Sequence, residues 1–533
     1  MSQTRTAAAT SPTAPLRIAV FRWLWIGALV SNIGTWMQTV GAQWLLVREP
    51  GAAALVSLVQ TAQALPVLLL ALPAGVLADT FDRRRMLITI QTFQTGIALL
   101  LTVLTVMDQM QPTLLLLLTF ALGVGAAVQA PAYQALIPDL VPTEQIPSAS
   151  ILGSINVNTA RAIGPAVAGL IVARFGVPVT FALNAASFVA FAVILLGWRR
   201  PETDSAGQEP FLPALRAGGR YVRNALVVRR ILLRCALFVF PANALWALLA
   251  LVADRTLHLG AGGYGLMLAM LGIGSVLGAF GLSRLRTYLN SNGMIAVASI
   301  VYAAGLAALV LVPNAVVAML ALLPMGACWI AVLSTLNAQM QIFLPGWVRA
   351  RGLAIYQLTL FGSMAGAGVL WGIVAEVSGV RPTYLAAAAL LLLSAASVRL
   401  WPLRDLQGID RSAALIWPEP HLLLEPEDYP GQVLVVTRYE VAPERQAEFL
   451  GLMPALRRSR LRTGGTSWQL YRDGEAPNRF LEEYTVASWA EHLLQHEGRL
   501  TGYDGEIDRR AKSLSDPPVR AWHYFTPSLP KDG

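Results

Sequence analysis

The chain has 533 residues, 55% hydrophobic and only 13% charged, against roughly 25% charged in ordinary soluble domains, which excludes a soluble fold for most of its length. The formal charge is +9, yet residues 431–533 hold 14 basic and 14 acidic side chains, so the surplus belongs to the apolar remainder and no nucleic-acid partner is expected. Cys235 and Cys328 both sit in apolar runs, which excludes a disulfide framework and a thiolate metal site; no metal and no other cofactor is expected.

Residues 1–20 are rich in Ala, Thr, Ser and Pro without an apolar core, and read as a disordered cytoplasmic tail rather than a cleaved signal peptide. A membrane-spanning helix needs about 20 apolar residues, because its backbone groups must be bonded internally in hydrocarbon. Twelve such runs follow, at 21–47, 54–78, 86–107, 113–134, 150–173, 177–198, 231–253, 262–283, 293–312, 314–338, 352–376 and 381–401. Positive residues collect in short cytoplasmic loops. One set of loops carries Arg83 to Arg85, seven arginines from Arg199 to Arg230, and Arg284, Arg286, Arg349 and Arg351, while the other side offers Arg48, Arg174, Arg255 and Arg381. An even number of spans then puts both termini in the cytoplasm, with the chain in the inner (plasma) membrane. A shift of 203 residues brings Gly75 onto Gly278, Gly123 onto Gly326, Pro142 onto Pro345, Gly169 onto Gly372, Gly176 onto Gly379 and Thr180 onto Thr383. Such a constant register points to duplication. The expected architecture is an all-α membrane protein of two six-helix halves, 21–198 and 231–402, joined by a central cytoplasmic loop at 199–230, the arrangement of transporters that rock about a midplane site.

Span 1 places Asn32, Trp36, Thr39 and Gln43 at steps of four, three and four, giving one polar stripe on an apolar helix. A cavity is its natural destination, to which Gln129, Tyr133, Asn243, Trp246, Tyr356 and Gln357 would add; the alternative is that such groups bond helices together. An aromatic, amide-rich cavity suits a bulky amphipathic small molecule. The loop after span 2 reads Gly75-Val-Leu-Ala-Asp79-Thr-Phe-Asp82-Arg83-Arg84-Arg85 and resembles the loop signature of the major facilitator superfamily. In that reading Gly75 admits a neighbouring helix, and Asp79 pairs across the domain interface to latch the outward-facing state. Asp82 stands where the family usually has glycine, and the arginines alone are equally read as topology signals. Span 5 carries Asn156, Asn158, Arg161, Gly164, Pro165 and Gly169, resembling the antiporter motif of drug and proton exchangers in that superfamily. There Gly164 and Gly169 permit tight packing and Pro165 eases bending, while Arg161 is either functional or an arginine that snorkels to the cytoplasmic end. No phosphate-binding loop exists, since the only lysines are Lys512 and Lys531, so a proton gradient is the expected driver.

After a linker at 403–430, residues 431–526 alternate strand, helix, strand, strand, helix, strand, with a hairpin about Asp473-Gly474 and a second helix from about Ser488 to Ser513. This order is ferredoxin-like and resembles the small dimeric barrels related to antibiotic-biosynthesis monooxygenases, which implies possible self-association through this domain. His492 and His496 share a helix face, with packing or ligand contact as the default and metal binding or catalysis as the alternative. The stretch from Ser31-Asn32-Ile-Gly-Thr-Trp36 through the span 5 motif, with Trp468-Gln-Leu-Tyr471 and Ser488-Trp-Ala-Glu-His-Leu493, looks like the enterobactin-exporter branch of the major facilitator superfamily, often labelled transmembrane secretion effectors. The resemblance implies a secondary exporter rather than an enzyme, moving a siderophore, drug or similar metabolite. A membrane receptor signalling through its tail, and an exporter fused to a cargo-modifying enzyme, stand as alternatives.

Overall fold

The computed structural model describes residues 13–198, 211–403, 422–426, 429 and 431–527. The expectations for residues 1–12 and for most of the 403–430 linker lie outside the described residues, as do the side chains of Gly75 and Asp79. The chain forms two compact units. The first comprises Met1–Ala206, Leu233–Leu336 and Tyr356–Pro402; the second comprises Gly207–Leu232, Asn337–Ile355 and Leu403–Gly533.

Helices of the first half are α1 (Ala19–Leu46), α2 (Ala52–Thr80), α3 (Arg83–Val106), α4 (Pro112–Leu140), α5 (Ile146–Phe175) and α6 (Val177–Gly197). A short helix, α7 (Phe211–Asn224), stands in what the sequence suggested was only a loop. The second half follows as α8 (Leu226–Leu251), α9 (Gly260–Tyr288), α10 (Ser291–Leu311), α11 (Ala315–Phe343), α12 (Gly346–Ser378) and α13 (Val380–Ala396). Apart from α7, these match the twelve expected spans, and among the described residues eleven helical segments are long and apolar enough to cross a membrane. The remaining long helix is α1, whose Asn32, Gln38 and Gln43 lower its apolarity. It packs against α5 and α6, where protein rather than lipid meets those groups.

Duplication is visible in the backbone. Gly176 and Gly379, 203 residues apart, take φ of +84° and +87° at the starts of α6 and α13, a left-handed region that side chains avoid. A Cβ on Gly123 would strike Pro66 and Ala62 of α2, and one on Gly326 would strike Leu271 of α9, so equivalent helix pairs pack through equivalent glycines.

In the second unit the sheet order is β2 (Gly465–Arg472), β3 (Arg479–Val486), β1 (Val433–Glu440), β4 (Ala521–Phe525), all antiparallel, which is the ferredoxin-like order. Helix α14 (Gln446–Thr463) packs Phe449, Met453 and Leu456 on Tyr439 and Phe480. The single helix expected over 488–513 is two: α15 (Trp489–Leu494), continued by a π-turn to Arg499, and α16 (Gly502–Ser513). The break falls at Leu500, whose backbone is extended, and Thr501 restarts the helix through a capping box with Asp504.

Candidate functional site

The two halves of the first unit meet from mid-helix, where a Cβ on Gly272 would lie 2.5 Å from Ala162 Cα, out to the helix ends remote from the arginine-rich loops. At one crossing α5 meets α9, where a Cβ on Gly169 would lie 2.7 Å from Gly265 Cα and 2.9 Å from the Ala261 carbonyl oxygen. At the other α12 meets α2, where Gly372 lies against Ser57 and Thr61 Oγ1 donates to the Ala365 carbonyl at 3.0 Å. Since Gly169 and Gly372 are 203 residues apart, the two crossings are related by the repeat. Between them Gln43 Nε2 donates to the Trp246 carbonyl at 3.2 Å, and Tyr264 donates to Gln43 Oε1 at 2.5 Å. Gln43 and Trp246 are themselves 203 residues apart, so equivalent positions of the two halves touch. Arg48 and Asp254 pair at 3.7 Å beyond them, at the end of the seal.

Toward the arginine-rich side, an aromatic series crosses from one half to the other. Trp36 lies 5.9 Å from Trp246, Trp246 lies 5.8 Å from Trp329, and Trp329 touches Phe238 and Tyr302 at 6.1 and 6.5 Å between ring centroids. The guanidinium of Arg161 lies over Trp36 at 5.9 Å. One turn further along α5, Gly164 lets the helix rest on Trp36 Cβ, and Pro165 is buried beside it. Arg161, Trp36, Gln43 and Trp246 are therefore brought together, joined by Tyr264 and Trp329, which the sequence reading missed. The 203-residue register was a signal for the axis, because it pairs Gln43 with Trp246.

Other residues of the expected cavity have helix partners. Asn32 Nδ2 donates to Asn156 Oδ1 at 2.9 Å, and Asn156 in turn donates to the Trp25 carbonyl at 2.8 Å, tying α1 to α5. Thr39 accepts from Gln63 at 2.8 Å, Gln129 accepts from Gln91 at 3.0 Å, and Asn243 donates to the Met364 carbonyl at 3.1 Å. Tyr133 meets Phe191 edge-on at 6.1 Å in the packing of the first half. Tyr356 is buried and donates to the Leu333 carbonyl at 3.4 Å, Gln357 is exposed, and Asn158 bonds back to the Ser154 carbonyl at 2.8 Å within its own helix.

At the loop after α2, Asp82 caps α3: its carboxylate accepts from the Arg85 amide at 2.7 Å, with φ at −60°. That backbone asks for no glycine, and an N-cap carboxylate is favourable in its own right. Arg83 donates to the Ala135 carbonyl at 2.8 Å and pairs with Asp139 at 3.4 Å, while Arg84 donates to the Leu195 and Leu196 carbonyls at 2.9 and 2.8 Å. The two arginines thus staple α3 to the ends of α4 and α6.

In the second unit, Arg460 is buried between Glu482 at 3.1 Å and Asp508 at 2.6 Å, and Tyr439 donates to Glu482 at 2.8 Å. His492 lies 4.9 Å from His496 and 5.1 Å from His523 of β4, beside Trp489. Burial pushes His492 down to about 3 and His496 down to about 2, each helped by the neighbouring imidazole, so both rings are neutral at pH 7. Among the described residues no group of three or more His, Cys, Asp or Glu side chains is placed to hold a metal ion. Helix α7 belongs to this unit: Arg220 pairs with Glu491 at 3.6 Å, Tyr221 meets Trp347 edge-on at 5.6 Å, and Arg499 lies 4.8 Å over Trp347.

Compared with known proteins, residues 10–525 match the sequence profile of the family described as transmembrane secretion effector, a span that runs through the last strand of the soluble domain. The chain belongs to this family. These secretion effectors are transporters of the major facilitator superfamily, and the relatives agree with that placement. The staphyloferrin A transporter of Staphylococcus aureus (strain NCTC 8325 / PS 47) is 24% identical over 356 residues, covering 66% of this chain and 88% of its own length. The multidrug efflux pump Tap of Mycolicibacterium fortuitum is 24% identical over 411 residues, covering 74% and 97%. Among solved structures, a bacterial homolog of the human lysosomal transporter Spinster superposes with a TM-score of 0.57 at 16% identity, over 72% of this chain and 97% of that one, a likeness of fold. This secretion effector is a membrane-embedded secondary transporter of a small molecule.

Proposed function

We propose that this secretion effector is a proton-driven exporter of an amphipathic organic metabolite, of the siderophore or drug class, working by alternating access in the plasma membrane with both termini cytoplasmic. The observation that carries the reading is the pair of repeat-related glycine crossings, α5 on α9 and α12 on α2, above an aromatic and amide-lined junction. Glycine crossings let packed helices separate and re-form as rigid units, and a seal on the side away from the arginine-rich loops corresponds to an inward-facing state. The relative named as a multidrug efflux pump supports the direction, and it and the staphyloferrin A transporter support the substrate class.

In this reading Asp79 latches the arginine-rich side when the opposite side opens, and the α5 segment from Asn158 to Gly169 bends between the states. The carboxylates of the long bundle helices and the π-turn after α8, namely Asp79, Asp139, Asp254 and Glu376, all stand near helix ends, so proton entry and exit are assigned there. The soluble domain is assigned an accessory role without catalysis, its histidines packing or touching ligand, and self-association is assigned to this domain. Inverted membrane vesicles energised with a proton gradient test the reading: wild type accumulates a fluorescent amphipathic dye, and Asp79→Asn stops accumulation at equal expression. Undiminished uptake by Asp79→Asn removes the latch assignment, and uptake indifferent to the gradient removes proton coupling.

A further inference from the structure

We infer that Arg161 is an anion-recognition residue, and that the cargo of this transporter carries a carboxylate on an aromatic or apolar body. The inference rests on the exporter reading above and names the substrate class of its central site. Arg161 is 15 residues from the start of α5 and 14 from its end, hence about 21 to 22 Å from either at 1.5 Å per residue. An arginine side chain spans only a fraction of that distance, so snorkelling to an interface does not account for it.

The same bundle shows what a structural buried arginine looks like. Arg234 is fully buried, and its guanidinium donates to the Ser394, Ser397 and Trp401 carbonyls and to Ser397 Oγ, at 2.6 to 3.2 Å. Arg83 and Arg84 likewise spend their donors on carbonyl oxygens. Arg161 does not. Its contact among the described residues is the face of Trp36, its Nε is buried without an acceptor, and the side chain as a whole remains partly accessible.

A guanidinium at mid-membrane depth needs counter-charge or water, yet no carboxylate of α1–α6 or α8–α13 lies in the middle of a helix. The chain therefore holds a planar fork of donors on an aromatic floor, at the junction of the halves, and among the described residues no carboxylate fills it. A carboxylate matches such a fork in two parallel hydrogen bonds. The surrounding indoles of Trp36, Trp246 and Trp329 favour an organic anion over an inorganic one, since an inorganic ion gains nothing from apolar rings.

The test uses the full-length protein in proteoliposomes and two probes that differ only in charge, coumarin-3-carboxylate and coumarin-3-carboxamide, with binding read from coumarin anisotropy and flux from vesicle fluorescence. A charge-assisted bidentate contact predicts at least about tenfold tighter binding of the carboxylate by wild type. Arg161→Gln should erase that preference while leaving carboxamide affinity within about twofold, which also reports that the site is folded; Arg161→Lys should keep part of it. Equal affinities in wild type, or a preference that survives in Arg161→Gln, overturn the inference and leave the exporter reading standing. Failure of wild type to bind or move either probe overturns the amphipathic-cargo reading, and this inference with it.

Discussion

Replacing Gly169 with valine should unseal the closed face. A Cβ there would stand 2.7 Å from Gly265 Cα and 2.9 Å from the Ala261 carbonyl oxygen, both backbone atoms that cannot rotate away. Ordinary contact at about 3.4 to 4 Å requires α5 and α9 to part by roughly 0.5 to 1.3 Å, and such a gap forfeits a quarter to a half of each pairwise dispersion contact of 0.1 to 0.2 kcal/mol. Over some two dozen atom pairs at the crossing this amounts to about 1 to 2 kcal/mol, or a 5- to 30-fold shift away from the sealed arrangement. The reporter is placed at the other crossing. With Cys235 and Cys328 replaced by alanine, Ser57→Cys supplies one thiol at a fully buried position of α2. A membrane-impermeant maleimide should label it 5- to 30-fold faster in the Gly169→Val background, whereas Gly153→Ala, where a Cβ meets open space, should change nothing. If Gly169→Val leaves labelling unchanged in a protein that still migrates as a single species, the two crossings do not open together and the rigid-half picture is wrong.

Arg234→Ala should cost about 3 to 5 kcal/mol, because it empties a fully buried site and removes the charge-assisted hydrogen bonds from the guanidinium to Ser394, Ser397 and Trp401; a marked fall in thermal midpoint in detergent checks it, with Arg161→Gln changing the midpoint little. The soluble domain should be acid-labile well above the carboxylate range. His492 titrates near 3 in the fold against about 6.5 when unfolded, so its contribution is complete above pH 6.5 and declines as pH falls toward 3, by about 2 kcal/mol at pH 5. Hydrogen exchange of β4 and α15 should accelerate between pH 7 and 5, less so in His492→Gln, and a flat profile refutes the assignment. Asp82→Gly should be nearly neutral for stability and Asp82→Ala should cost about 1 kcal/mol, the pattern of an N-cap; equal losses would point to a role beyond capping.

Much of this fold was legible in the sequence because lipid imposes long apolar runs, and the twelve helices begin and end within several residues of the expected positions. Helix α7 is less legible, because its arginines read equally well as topology signals in a loop. Its alternation of Leu212, Leu215, Tyr221 and Val222 with Arg216, Arg220 and Arg223 nevertheless carried a helical period. The break at Leu500 was also encoded, in Thr501 and Asp504 three residues apart. The site was less legible. Periodicity marks which face of α1 is polar, but it cannot separate Gln129, whose amide meets Gln91, from Arg161, whose fork meets only a ring. That distinction depends on what a neighbouring helix presents, which a one-dimensional pattern does not hold.

The central claim is that the two halves exchange one seal for another about the Trp36–Trp246 junction, and paired spin-label distances test it most directly. One pair, Gln109→Cys with Pro313→Cys, reports the sealed side, and the other, Glu144→Cys with Thr287→Cys, reports the arginine-rich side. Imposing a proton gradient with a transported dye should lengthen the first distance and shorten the second in the same sample. Distances that stay fixed, or that change in the same sense while dye is moved, would contradict the account.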